Sequence, residues 1–118
     1  MPERPRLVGK APPQPWSMGD ATDQIRNLGK NANLTVTYTK HGKEQMAVRD
    51  LLVSDVLYIL KNGFVLEEAE ESTQPGLYKY QLQSRSPNSG ARTVRLVVIP
   101  DPDRIWIKIV TVMWVDGA

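Results

Sequence analysis

The chain has 118 residues, and 15 lysines and arginines against 13 aspartates and glutamates give it a formal net charge of +2 at pH 7. It contains no cysteine and only one histidine, His41, which excludes disulfides, thiol nucleophiles and multi-histidine metal sites within one chain. The length suits one domain with a hydrophobic core of its own. We therefore expect neither a metal nor another cofactor.

The beginning of the chain is rich in proline, with five prolines among residues 1–17. Because proline at this density prevents helix formation and removes backbone donors, we predict a flexible arm over residues 1–17 and a single domain over residues 18–118. The start is too polar for a secretory signal, and no apolar run reaches the length of a membrane span. We expect a soluble, cytoplasmic protein that does not contact a membrane.

The next stretch predicts a helix and a strand. Asp20 is a good N-cap for a helix over residues 20–29, with a glycine at its end. Residues 34–39 alternate apolar side chains with threonines, which is typical of a half-buried strand. Thr39 can then cap a helix that begins near Lys40.

A second helix is predicted after a break around residues 51–53. Ser54 can cap this helix, which runs to Asn62. Gly63 follows as a left-handed exit from the helix.

The second half of the chain predicts a β-meander, because apolar and polar residues alternate between turn signals at 86–90 and 100–103. The strands are expected over residues 64–70, 77–83, 93–99 and 105–115. The order of elements predicts an α+β fold, with short N-terminal helices packed on one face of an antiparallel β-meander sheet.

Charges are unevenly distributed. Acidic residues cluster within residues 67–71, whereas the stretch from Leu77 to Lys108 is basic. The basic residues there are Lys79, Arg85, Arg92, Arg95, Arg104 and Lys108. Such a patch can bind phosphates, and lysine and arginine on exposed strand positions also prevent aggregation. Both interpretations stay open.

A series of short motifs resembles the bacterial family called domain of unknown function 4258. In chain order the motifs are Thr39-Lys40-His41, Met46, Arg49, Asp55-Val56, Gly63-Phe64-Val65 and Val110-Thr111-Val112-Met113-Trp114. Gln45 stands where the family often has arginine, and Leu51-Leu52 replaces its usual Gly-Ile. The resemblance covers roughly residues 20–114.

That family is similar in layout to the RelE and BrnT toxins of toxin–antitoxin pairs, which belong to a group of small metal-independent ribonucleases. The resemblance therefore implies a RelE/BrnT-like layout and cleavage of RNA, with an antitoxin or other protein partner. The arginine-rich motif in the final strand of that group is missing here. The inference from fold to activity is an analogy.

The residues can be matched to the chemistry that metal-free RNA cleavage needs. His41 is the candidate general acid or base, because histidine exchanges protons near neutral pH. Arg49 and Lys108 are predicted to complete the catalytic group by neutralising charge on phosphorus. Further phosphate- or RNA-binding candidates are Lys40, Lys79, Arg92 and Arg95. Tyr80 could stack on a base, and Thr111 is a candidate through the resemblance alone.

Each of these residues has a purely structural alternative. His41 can fix the corner between strand and helix through a backbone carbonyl, and Arg49 can form an ion pair with Asp50 or Asp55. Lys108 can mark an exposed strand face, and Tyr80 alternates with polar residues as core aromatics do.

Two other functions also stay open. One is a non-catalytic protein-binding or inhibitor module of a mobile element, and the other is a nucleic-acid-binding regulator. The sequence does not decide between a monomer and a homodimer, although an exposed sheet edge at Trp114 would allow strand addition.

Overall fold

Three α-helices and a six-stranded sheet make up the computed structural model, which describes residues 11–116. The helices are α1 (Met18–Gly29), α2 (Lys40–Val48) and α3 (Val53–Asn62). The strands are β1 (Thr35–Tyr38), β2 (Phe64–Val65), β3 (Glu70–Glu71), β4 (Tyr78–Ser84), β5 (Val94–Asp101) and β6 (Trp106–Trp114). A short 3-10 turn over Pro102–Arg104 joins the last two strands.

The sheet confirms the predicted α+β class and adds one parallel pairing. Its order is β1-β6-β5-β4-β2, and β3 also pairs with β4. Strands β4, β5 and β6 form the expected antiparallel meander, whereas β1 runs parallel to β6. Parallel strands need a long crossover between them, and the whole stretch from α2 to β5 provides it. The sheet is therefore mixed.

The core lies between one face of this sheet and the helices α1 and α3. Alternate residues of the strands point into it because the side-chain period of a strand is two. The strand residues with no more than 1% exposure are Tyr80, Leu82, Val94, Leu96, Val98, Ile107, Ile109 and Val112. They join Ile25 of α1 and Val56, Ile59 and Leu60 of α3 in one cluster. At about 25 cal/mol per Å² of apolar surface removed from water, this layer is the main source of stability.

Helix α3 begins two residues earlier than the sequence predicts, and Ser54 does not cap it. Its N-cap is Leu52, whose backbone N–H donates to the Asp55 carboxylate at 2.8 Å. The same carboxylate is fully buried and accepts two more hydrogen bonds from Asn88, at 3.0 Å from the backbone and 3.1 Å from the side chain. Asp55 thus ties the start of α3 to the turn between β4 and β5.

Gly63 does not leave α3 in the left-handed conformation, so that prediction was wrong. Its φ is −77° and its ψ is 171°, which is extended backbone open to any residue. Glycine is required by space instead: a Cβ atom would lie 2.8 Å from the carbonyl oxygen of Ile59 and 2.9 Å from Cγ of Leu82. The absent side chain lets the chain turn directly from α3 into the sheet.

The described part of the predicted arm contacts the domain. Trp16 is 5% exposed and stacks on the Tyr80 ring with 5.3 Å between centroids. Ser17, rather than Asp20, is the N-cap of α1. Residues 1–10 lie outside the described residues, so the flexible arm stays a prediction there.

Candidate functional site

The corner between β1 and α2 carries the histidine and is built by its neighbours. The Thr39 hydroxyl accepts a hydrogen bond from the Gly42 N–H at 2.9 Å and donates one to the carbonyl oxygen of Val110 at 2.9 Å. Gly42 is buried against β6, where a Cβ atom would lie 3.2 Å from the oxygen of Ile109. Thr39 and Gly42 therefore fix α2 to the last strand.

His41 takes no part in this corner. It lies in the first turn of α2 and is exposed, and it forms no hydrogen bond or ion pair with any residue in the range 11–116. The structural alternative, in which its ring binds a backbone carbonyl, is not what the structure contains. An exposed imidazole without a partner is free to meet a substrate.

Two lysines and one glutamate lie near His41 on α2: Lys40 and Lys43 flank it, and exposed Glu44 follows one turn later. Lys40 and Lys43 are both exposed in the first turns of α2, and that first turn contains no acidic residue. Helix N-termini carry a partial positive charge and unpaired backbone N–H groups. The N–H groups of Lys40 and His41 have no acceptor among the described residues. Together these groups can bind an anionic oxygen.

Lys108 lies on β6, which pairs with β1, the strand that precedes α2. It is half-buried on β6, opposite Thr37 of β1 and Ile99 of β5. Thr37 precedes His41 by four residues. The parallel β1–β6 pairing thus places His41 and Lys108 on adjoining elements, which the predicted meander alone does not do. Lys108 alternates with the buried Ile107 and Ile109, so it lies on the sheet face away from the core.

Arg49 lies at the opposite end of α2. It is the C-cap residue, and eight residues at about 1.5 Å each place it about 12 Å from His41 along the helix axis. It is half-buried, and its Nε is buried without a hydrogen-bond partner in the part of the chain that the structure describes. The proposed ion pairs with Asp50 and Asp55 are not formed. His41 and Arg49 do not converge on one atom.

Arg95 and Thr111 lie on the sheet face away from the helices. Arg95 is opposite Gln83 and Met113, and its Nη2 is 3.5 Å from Oε1 of Gln83. Thr111 is opposite Val97, and both are half-buried. Lys108 pairs with Ile99, which follows Arg95 by four residues on β5. Arg95 therefore lies about 13 Å along the strand from the position opposite Lys108, at about 3.3 Å per residue.

Two other predicted phosphate-binding residues have acidic partners. Lys79 Nζ is 4.0 Å from a carboxylate oxygen of Glu70 on the neighbouring strand β3. Arg92 donates to both carboxylate oxygens of Asp116, at 2.6 and 3.2 Å, and its guanidinium lies 4.0 Å from the centre of the Trp114 ring. These two cations are neutralised locally, and neither is held near His41 by a described contact.

Tyr80 has a packing role, so the base-stacking prediction was wrong for this residue. It is 1% exposed, and its hydroxyl accepts a hydrogen bond from the Trp16 N–H at 3.0 Å and donates one to Oε1 of Gln14 at 3.1 Å. Burial raises the pKa of the Tyr80 hydroxyl, although the bond from Trp16 opposes this change. Its ring has no free face for a base.

Sequence reasoning missed the role of Gln45. Its side-chain Oε1 accepts the backbone N–H of Val112 at 2.8 Å. This bond covers part of the β6 edge beyond the end of β1, so the edge expected near Trp114 is partly closed by α2. A glutamine inside a helix gives no sign in the sequence of a partner 67 residues away.

Two general features of the described residues bear on the chemistry. Within residues 11–116 no group of three or more histidine, aspartate or glutamate side chains is placed to hold a metal ion. In the same range, no helix combines the length and the apolar character that crossing a membrane requires.

Comparison with known families identifies the corner as part of a recognised domain. The model of the family described as Domain of unknown function (DUF4258) matches residues 38–114, which are 77 of the 118 residues. The chain belongs to this family. The matched stretch of this DUF4258 protein begins at the last residue of β1 and ends at the last residue of β6, so it includes Thr39, His41 and Lys108. Neither a curated protein nor a solved structure matches the chain.

Proposed function

We propose that this DUF4258 protein is a metal-independent, toxin-like ribonuclease of the RelE/BrnT type, acting in the bacterial cytoplasm. The observation that carries the proposal is that His41 is exposed and unpartnered among residues 11–116, while Thr39 and Gly42 hold the corner around it. The fold therefore does not need His41 at this position. An exposed imidazole beside Lys40 and the N-terminus of α2 suits proton transfer on a phosphodiester.

The reaction would proceed by attack of the RNA 2′-oxygen on the adjacent phosphorus. His41 as the base accepts the 2′-hydroxyl proton while the bond from phosphorus to the 5′-oxygen breaks. The departing 5′-oxygen takes a proton from water or from an acid, and the products are a 2′,3′-cyclic phosphate and a 5′-hydroxyl. A single histidine can perform one of the two proton transfers at a time, so the other needs a second donor or acceptor.

The charge that develops on the phosphate oxygens would be stabilised from two sides. Lys40 and the first N–H groups of α2 lie on the same helical turn as His41, and Lys108 lies on β6, the strand that pairs with β1. Arg49, about 12 Å away along α2, would contact a different phosphate of the same RNA strand. Lys40, Arg49 and Lys108 thus bind along the RNA, and His41 acts at the cleaved bond.

A second candidate function, a protein-binding module, is favoured by an apolar patch at the junction of α2 and α3. Val48, Leu52 and Val53 are 79%, 57% and 53% exposed. Large apolar side chains that cluster at a surface often mark a protein interface. This patch lies beside Arg49, where an antitoxin or other partner would cover one end of α2.

The proposal is tested by induced expression in a bacterial host. Wild-type protein should arrest growth, and His41→Ala should relieve the arrest while Lys61→Ala, an exposed change on α3, should not. Equal amounts of soluble protein and equal thermal unfolding midpoints would show that the His41 variant is folded. Harmless wild-type protein, or arrest that persists with His41→Ala, would contradict the proposal.

A further inference from the structure

A cleft opens on the side of the molecule that carries β2. It lies between the N-terminus of α1 and the segment that joins β2 to β3, and its volume is about 530 Å³. The residues that line it are Met18, Leu66, Glu67, Glu68, Ala69 and Glu70. A second hollow of about 290 Å³ shares Met18, Glu68 and Ala69 with it and continues along Pro15, Trp16 and Ser17.

The cleft combines apolar side chains with three carboxylates, two of which have no ion-pair partner among residues 11–116. Met18 is 43% exposed and Leu66 is 56% exposed, although both are large and apolar. Glu67 and Glu68 are exposed and form no ion pair with any residue between 11 and 116. Glu70 has one lysine 4.0 Å away on the neighbouring strand. Among residues 11–116, no lysine or arginine lines either hollow.

The fold does not require this arrangement. In β2 the core contact is made by Val65, which is 3% exposed, and its backbone N–H donates to the Thr22 hydroxyl of α1 at 2.9 Å. This bond satisfies the N–H of Val65, which is not used in the pairing with β4. Leu66, next in the chain, faces water without serving the core. Exposed apolar surface surrounded by charge is typical of a site that a partner covers.

We infer that the cleft binds an extended segment of a partner protein that alternates basic and apolar side chains. Basic side chains would meet the carboxylates of Glu67, Glu68 and Glu70, and apolar side chains would cover Met18 and Leu66. Charge complementarity selects this occupant, because an acidic or purely apolar segment would leave the carboxylates repelled or desolvated. The acidic rim also accelerates the encounter with a basic partner.

This surface is separate from the proposed catalytic corner. Helix α2 follows β1 at one edge of the sheet, whereas β2 forms the opposite end of the strand order. A partner on the cleft would therefore leave His41 open. The inference does not depend on the ribonuclease proposal, and the binding experiment needs no RNA.

The test uses the full chain and a fluorescein-labelled ten-residue peptide that alternates arginine and leucine, with binding followed by anisotropy. The triple variant Glu67→Gln, Glu68→Gln, Glu70→Gln should bind this probe at least tenfold more weakly than wild type. A matched control removes the same charge from exposed positions elsewhere, by Glu44→Gln together with Asp50→Asn and Asp103→Asn. The control should stay within twofold of wild type.

The apolar half of the inference has its own comparison. A peptide that alternates arginine and serine should bind wild type at least tenfold more weakly, and Met18→Gln with Leu66→Gln should reduce arginine–leucine binding similarly. Equal losses in the cleft and control variants would mean diffuse charge attraction and would overturn the inference. The inference would also be overturned if the probe bound only after residues 2–10 were removed. In that case the cleft would be occupied by that basic segment of the chain itself.

Discussion

Replacing Asp55 with asparagine should destabilise the protein by about 3 kcal/mol, because this carboxylate is the acceptor of three hydrogen bonds inside the fold. One oxygen accepts the Leu52 N–H and the Asn88 side chain, and the other accepts the Asn88 backbone N–H. Asparagine has the same size but keeps only one acceptor oxygen. Its amide nitrogen would face one of the two backbone N–H groups, of Leu52 or Asn88.

The magnitude follows from these contacts. A buried donor that loses its acceptor costs about 1–3 kcal/mol, and the remaining hydrogen bonds weaken by about half when their acceptor loses its charge. The sum is about 3 kcal/mol. For a chain of this length that corresponds to a fall in Tm of about 10 °C.

The pH dependence gives a second, independent check. Burial by itself would raise the pKa of Asp55, but the hydrogen bonds from Leu52 and Asn88 hold it below its ordinary value. Because the pKa of Asp55 is lower in the folded protein than in the unfolded chain, the charged carboxylate stabilises the fold. This contribution is complete above the unfolded-state pKa of about 3.9 and is lost as the pH falls through the folded-state pKa. The difference between wild type and Asp55→Asn should therefore be constant between pH 7 and 5 and shrink below about pH 4.

Urea denaturation at a series of pH values measures both effects. Asp55→Asn should have a lower unfolding midpoint at pH 7 with an unchanged slope. A difference below about 0.5 kcal/mol at pH 7 would refute the argument, as would a difference that keeps its full size at pH 3.

Two further changes test the packing of the domain by the same denaturation assay. Gly63→Ala should lower stability by about 2–3 kcal/mol, because the new methyl group would meet a backbone carbonyl oxygen at 2.8 Å. Gly19→Ala, with open space around it in α1, should raise stability by about 0.5–1 kcal/mol. Similar effects at both sites would contradict the account of Gly63. Tyr80→Phe should cost about 1–2 kcal/mol through the lost hydrogen bonds to Trp16 and Gln14, and unchanged stability would mean that the hydroxyl does not hold this segment to the sheet.

Local signals in the sequence predicted the helix start at Lys40 well. Thr39 is its N-cap, because a threonine before a helical run can accept an N–H of the first turn with no help from distant residues. The alternation in the second half likewise predicted β4, β5 and β6, since the burial period of two is visible in the residues themselves. The single strand predicted over residues 64–70 was wrong: that stretch contains β2 and the first residue of β3, separated by residues 66–69.

Features that depend on distant partners could not be predicted in this way. The parallel pairing of β1 with β6 joins residues 71 positions apart, and nothing within Thr35–Tyr38 specifies it. Gly63 was expected to be left-handed because most glycines after helices are, whereas here it is required by close approach to Leu82. Asp55 looked like a first-turn acid, but its second partner, Asn88, lies 33 residues away.

The candidate site was predictable only where it depends on local sequence signals. The motif Thr39-Lys40-His41 identified the corner, and the structure separates its roles, since Thr39 bonds to the last strand and His41 faces outward. Arg49 follows His41 by eight residues, so the length of α2 places the two side chains at opposite ends of the helix. Tyr80 alternates with polar residues as core aromatics do, and the structure places it in the core, where Trp16 stacks on its ring.

The most direct test of the central claim is cleavage of RNA by the purified protein with metals chelated by EDTA. Wild type should cut RNA into fragments with 2′,3′-cyclic phosphate and 5′-hydroxyl ends, and His41→Ala should be slower by about 10²–10⁴-fold. Lys61→Ala should match wild type. If wild type cleaves no RNA, either alone in EDTA or on ribosomes in a separate assay with Mg²⁺, or if folded His41→Ala cleaves at the wild-type rate, His41 is not the catalytic residue of a ribonuclease.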